Sequence, residues 1–133
     1  DLPLDEADEF RSVLDSRGLG LVQLVTPVTT TERRTALCEA ASGFVYAVTV
    51  TGITGGDVGV PEGLADALRG IRSEARAPVM AGFGIRRPEQ VAALSAHADG
   101  VIVGSALLDC IRDGKNPAAY LRSLASHGEE VSA

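Results

Sequence analysis

The sequence has no tryptophan, three phenylalanines and two tyrosines, so any core it forms is built mainly from aliphatic side chains. Basic residues are also short: 12 lysines and arginines stand against 18 acidic residues, a formal charge of −6. That balance argues against nucleic acid or an anionic membrane as the main partner, while leaving room for a local small-anion site. Histidine and cysteine number two each. His97 and His127 are isolated, and Cys38 and Cys110 lie far apart inside predicted helices with no metal-ligand spacing. They read as a turn and a tail histidine and as ordinary thiols, and no metal site is expected. No apolar run approaches the ~20 residues of a membrane helix, and no signal-peptide pattern opens the chain. A cytoplasmic location is the default expectation.

What is present is an alternation of helical and strand patterns. Asp1 to Glu6 reads as a turn feeding a helix whose apolar face is Ala7, Phe10, Val13 and Leu14, stopped by Gly18 and Gly20. Leu21–Thr26 is a β-prone run closed by Pro27. Thr29 to Glu32 fits a capping box, with Thr29 as N-cap and Glu32 reaching back. Phe44–Val50, Pro78–Ala81 and Gly100–Val103 supply three more strands, separated by helices opening near Pro61 and Pro88. Ser105–Arg112 and a segment carrying Tyr120, Leu121 and Leu124 form two final helices, and 127–133 reads as a polar tail. Near-continuous apolar strands alternating with amphipathic helices predict an α/β fold with a parallel sheet covered on both faces. Residues 1–126 are expected to form one unit, four βα units preceded by one helix.

In parallel α/β folds the site lies at the carboxyl ends of the strands. Those ends are Thr26-Pro27, the glycine-rich stretch from Thr51 to Gly59, Gly82-Phe83-Gly84 and Gly104-Ser105. Glycine lets backbone approach a ligand closely, and a helix opening just beyond it presents unpaired N–H groups and a positive dipole end. Two such turns side by side form an anion cradle, and phosphate is its commonest guest. A doubly wound nucleotide fold places its glycines after the first strand. Here they follow the last three, the arrangement of a (β/α)8 barrel with its phosphate site after strands seven and eight.

Phe44-Val-Tyr-Ala-Val48, Thr51-Gly-Ile-Thr-Gly55, Gly82-Phe-Gly-Ile85 with Pro88-Glu-Gln-Val91, and Ala98-Asp-Gly-Val-Ile-Val-Gly-Ser-Ala106 resemble the tryptophan synthase alpha chain family, as does Asp1-Leu-Pro3. The likeness covers the chain in order, but only the second half of the family's barrel, strands five to eight. It implies half of a (β/α)8 TIM barrel and a lyase that cleaves indole-3-glycerol phosphate to indole and glyceraldehyde 3-phosphate, with no cofactor in this subunit. A beta chain using pyridoxal phosphate is the implied partner. The resemblance assigns the substrate phosphate to Gly55, Gly84, Gly104 and Ser105, and the indole pocket to Phe83 and Ile102. It gives supporting roles to Tyr46, near the catalytic acid, and to Thr54, which helps orient a catalytic carboxylate.

Each residue also has a plainer reading. The glycines are compatible with turns or strand–helix packing, Ser105 with an N-cap alone, and Phe83, Ile102 and Tyr46 with core positions. Arg86-Arg87 depart from the family's Ser or Thr cap before Pro88, either adding positive potential near the phosphate or facing solvent. The family's catalytic glutamate and aspartate come from its second and third strand regions, which have no counterpart here. Asp57 and Asp99 have no claim to replace them. Four βα units cannot close an eight-stranded barrel. Apolar strand faces such as Val45, Val79, Met80 and Val101 are therefore expected to meet water unless the chain pairs with an N-terminal half-barrel, self-associates, or is a fragment inactive alone. The alternatives are a non-catalytic phosphate- or beta-chain-binding half-barrel, or another phosphate-binding barrel lyase or isomerase.

Overall fold

In the computed structural model, which describes residues 2–49, 60–82 and 84–125, a 3-10 turn at Leu4–Glu6 leads into α1 (Asp8–Asp15). Then come β1 (Gln23–Val25), α2 (Thr31–Ala40), β2 (Val45–Val48), α3 (Glu62–Glu74), β3 (Val79–Gly82), α4 (Pro88–Ser95), β4 (Gly100–Ile102), α5 (Ser105–Arg112) and α6 (Pro117–Ala125). The four strands form one parallel sheet in sequence order, so each strand pairs with the next one in the chain.

Side-chain alternation sorts the strands into two faces. Val25, Val45, Ala47, Val79 and Ala81 are almost fully buried, in one cluster with Leu37 of α2, Leu64, Leu68 and Ile71 of α3, and Leu94 of α4. Leu24, Tyr46 and Met80 occupy the other face; Leu24 is 43% exposed, and Tyr46 and Met80 are half-buried. Two expectations are corrected here. Among the described residues helices cover one face of the sheet, not both; both alternating sets are apolar, so composition cannot say which set the helices take. For the same reason Val45 and Val79 belong to the helix-packed core, and Val101 packs partly buried against it, leaving Met80 alone of those four on the half-open face.

The first helix and the capping box also differ from expectation. Ala7 is buried, but Phe10 and Val13 of α1 are exposed, since no described element packs over that face. The N-cap of α2 is Thr30 and makes no side-chain cap bond. Thr29 is drawn away by Thr26, whose N–H donates to the Thr29 hydroxyl at 3.0 Å while the two hydroxyls also meet at 3.0 Å. The tail at 127–133 lies outside the described residues.

One polar tie joins α2 to α3. Arg34 grips Glu74 through Nε to Oε2 at 3.0 Å and Nη2 to Oε1 at 2.5 Å, and the Thr35 hydroxyl adds a bond at 3.1 Å. The hydrogen bond from Arg34, more than its charge, holds the Glu74 carboxyl below the usual glutamate range. A lowered folded pKa means the pair stabilises fully above the unfolded glutamate value and loses that contribution as pH falls through the folded one. Glu74→Gln should therefore cost about 1 kcal/mol at neutral pH and flatten the acid limb of stability, measured by urea titration between pH 3 and 7.

Candidate functional site

The carboxyl ends of β2, β3 and β4 meet at a recess of about 260 Å³. Register explains how Tyr46 and Ile102 come to share it. Val48, Gly82 and Ile102 are aligned across the three strands, and Tyr46 stands one pleat earlier on the same face. A Cβ placed on Gly82 would lie 2.5 Å from the Tyr46 hydroxyl oxygen and 3.1 Å from Ile102 Cβ. Only glycine at 82 lets the tyrosine ring lean across the strand end toward Ile102.

The recess walls are two turns. After β3, Gly84 takes φ +73°, a left-handed conformation that a side-chain-bearing residue avoids, and a Cβ there would meet nothing within 4 Å. After β4, Gly104 precedes α5, again with open space beside it. The N–H groups of Leu107 and Leu108 donate back to the Gly104 carbonyl at 2.9 and 3.1 Å. Ser105 and Ala106 thus lead the helix, with no acceptor inside it for their N–H groups. Their donors, the Ser105 hydroxyl and the helix dipole give this mouth the chemistry of an anion site.

Five residues singled out from the sequence line this recess together: Tyr46, Gly84, Ile102, Gly104 and Ser105. Thr54, Gly55 and Phe83 lie outside the described residues. Ile85, Arg86 and Ala106 complete the lining and were not singled out as site residues. Ala106 was legible in principle as the second N–H of a helix opening on Ser105; Ile85 closes the Gly82-Phe-Gly-Ile85 motif, but that motif gives it no role, and it is buried.

Arg86 faces the site in a restrained state. Its guanidinium pairs with Asp109 of α5 at 2.8 Å, and Arg112 reaches the same carboxylate at 2.7 Å. The Arg86 hydrogen bond, followed by the charge of Arg112, holds Asp109 below the ordinary aspartate range. Two cations share this one carboxylate, Arg86 from the turn after β3 and Arg112 from the last turn of α5. The missing Ser or Thr cap before Pro88 is replaced from inside the helix: Gln90 Oε1 accepts from the N–H groups of Arg86 and Arg87 at 2.9 and 3.0 Å.

Two larger recesses carry less chemistry. One, of about 410 Å³, flanks β1, the edge strand of the described sheet; the other, of about 620 Å³, lies between α5 and α6. Neither lies at the carboxyl ends of several strands. Asp99 sits at the opposite end of the sheet, where its carboxylate accepts from Val79 N–H at 2.8 Å and pairs with Arg72 at 2.8 Å, a structural role. Cys38 and Cys110 are both buried, and burial pushes the Cys38 thiol up. Among the described residues no cluster of His, Cys, Asp or Glu could hold a metal ion, and no helix is long and apolar enough to cross a membrane.

The family model for the tryptophan synthase alpha chain matches residues 1–132. The chain belongs to that family. A tryptophan synthase alpha chain from Novosphingobium aromaticivorans is 41% identical over 127 residues, spanning 95% of this chain and 48% of the relative. One from Chloroflexus aggregans is 39% identical over 98% of this chain and 51% of its own length. Among solved structures, tryptophan synthase from Mycobacterium tuberculosis matches with a TM-score of 0.80 at 33% identity, over 96% of this chain and 49% of that one. A tryptophan synthase complex from Pyrococcus furiosus matches at 0.78 with 30% identity, over 95% and 52%. The chain spans about half the length of these relatives. Its four parallel βα units are accordingly a partial (β/α)8 barrel.

Proposed function

We propose that this chain is the C-terminal, phosphate-binding half of an indole-3-glycerol-phosphate lyase, acting with the N-terminal half of the barrel. The observation supporting it is the single recess in which the Gly84 turn and the start of α5 face Tyr46 and Ile102. In this reading Gly84, Gly104 and Ser105, with Gly55, hold the substrate phosphate by backbone N–H groups and one hydroxyl. Ile102 and Phe83 form the apolar side that receives indole, and Tyr46 and Thr54 support the catalytic carboxylates.

The cleavage needs a general acid to protonate the indole ring and a carboxylate to take the glycerol hydroxyl proton as the carbon–carbon bond breaks. In this reading both groups come from the family's second and third strand regions in the N-terminal half, and this half alone binds without cleaving. The reaction requires no cofactor in this subunit. A beta chain that receives indole is the fitting partner, since the P. furiosus match is a tryptophan synthase complex. A cytoplasmic location suits such an enzyme.

Titration with inorganic phosphate, followed through backbone amide resonances, tests the reading. Gly84, Gly104, Ser105 and Ala106 should shift together and saturably, while Val79 and Asp99 at the opposite sheet end stay still. Shifts confined to Arg72 or other surface cations would contradict it.

A further inference from the structure

α6 packs against both α4 and α5, the helices that follow the two recess turns. Its own placement is fixed at two points: Asn116 Oδ1 accepts from Ala119 N–H at 3.0 Å at the helix start, and Leu124 is buried near its end. From that position the Tyr120 hydroxyl donates to the Arg86 carbonyl at 3.0 Å. The Arg86 N–H is held by Gln90 of α4, and its guanidinium by Asp109 of α5. Three helices thus each hold a different polar group of one residue, two positions beyond Gly84. Asp109, in turn, sits one helical turn beyond Ser105.

We infer that Tyr120 is a positioning residue for the anion site, using α6 to set the peptide planes after Gly84 and the spacing between the Gly84 turn and the Ser105 helix start. This rests on the phosphate reading of the recess. Tyr120 does not line the recess and touches no ligand there; it acts through the Arg86 carbonyl. A carbonyl released from this bond can turn toward water, and the turn then samples orientations in which its donors miss the anion. The bond is neutral, so removing it leaves the charge of the site unchanged.

The test compares inorganic phosphate affinity and amide hydrogen exchange in the unaltered chain, Tyr120→Phe and Ser105→Asp. Tyr120→Phe should weaken phosphate binding about fivefold, the range of one net hydrogen bond, and speed exchange at Arg86 and Arg87. Protection at Val45 and Ala47 in the central strand should be unchanged, which separates positioning from general stability. Phosphate binding equal to the unaltered chain in Tyr120→Phe, with Ser105→Asp still abolishing it, would overturn the role of Tyr120 and leave the site standing. Equal loss of protection across the sheet would also overturn it. Binding insensitive to Ser105→Asp would remove the phosphate site and the inference together.

Discussion

The Ser105→Asp chain should lose inorganic phosphate binding by more than about 100-fold while folding as well as the unaltered chain. Ser105 is exposed at the first position of α5, directly after the Gly104 turn, and lines the recess. A carboxylate there would lie within roughly 4 Å of a bound phosphate oxygen, and near a protein surface that repulsion amounts to about 4 kcal/mol per pair of unit charges. A factor of 100 in affinity requires only about 2.7 kcal/mol, so screening by salt still leaves the predicted loss. The same substitution favours the helix itself, because an acidic residue in the first turn complements the dipole. Melting temperature should therefore hold or rise as affinity collapses. Loss of both would point to misfolding, and retention of both would place the anion elsewhere.

The largest expected stability effect lies in the one-sided core. Leu68 of α3 is 1% exposed, packed among strand residues of the covered face. Leu68→Ala should cost about 3 kcal/mol, the sum of lost burial and an unfilled cavity. Domains of this size have only about 5–15 kcal/mol in total, and a sheet with one half-open face stands at the low end. With a urea dependence near 1.5 kcal/mol per molar, the unfolding midpoint should fall by about 2 M. Leu24→Ala on the open face should move it far less, because 43% of that residue already meets solvent.

Much of this architecture was legible from residue order. Pro61 and Pro88 mark two helix starts, Ser105–Arg112 coincides with α5, and the glycines after β3 and β4 mark the walls of the recess. What stayed hidden depended on contacts between distant segments. Val45-Tyr-Ala-Val48 is apolar at every position, so alternation identifies two faces without saying which one the helices cover. Three consecutive threonines offer three possible caps, and only the hydroxyl contact between Thr26 and Thr29 removes Thr29 from the role. From the sequence Arg86 either adds positive potential near the phosphate or faces solvent; its binding to Asp109, Gln90 and Tyr120 depends on α4, α5 and α6 converging on one turn. Tyr46 was recognisable as a site residue by resemblance, but its dependence on the bare Gly82 backbone emerges only from the strand register.

The central claim is that this half-barrel holds the substrate while the other half breaks it. It is tested most directly by mixing the chain with the N-terminal half of the Novosphingobium aromaticivorans relative and measuring indole released from indole-3-glycerol phosphate. The account predicts release by the mixture, none by either half alone, and loss of release when the chain carries Ser105→Asp. A mixed, folded complex that binds phosphate and releases no indole would contradict it.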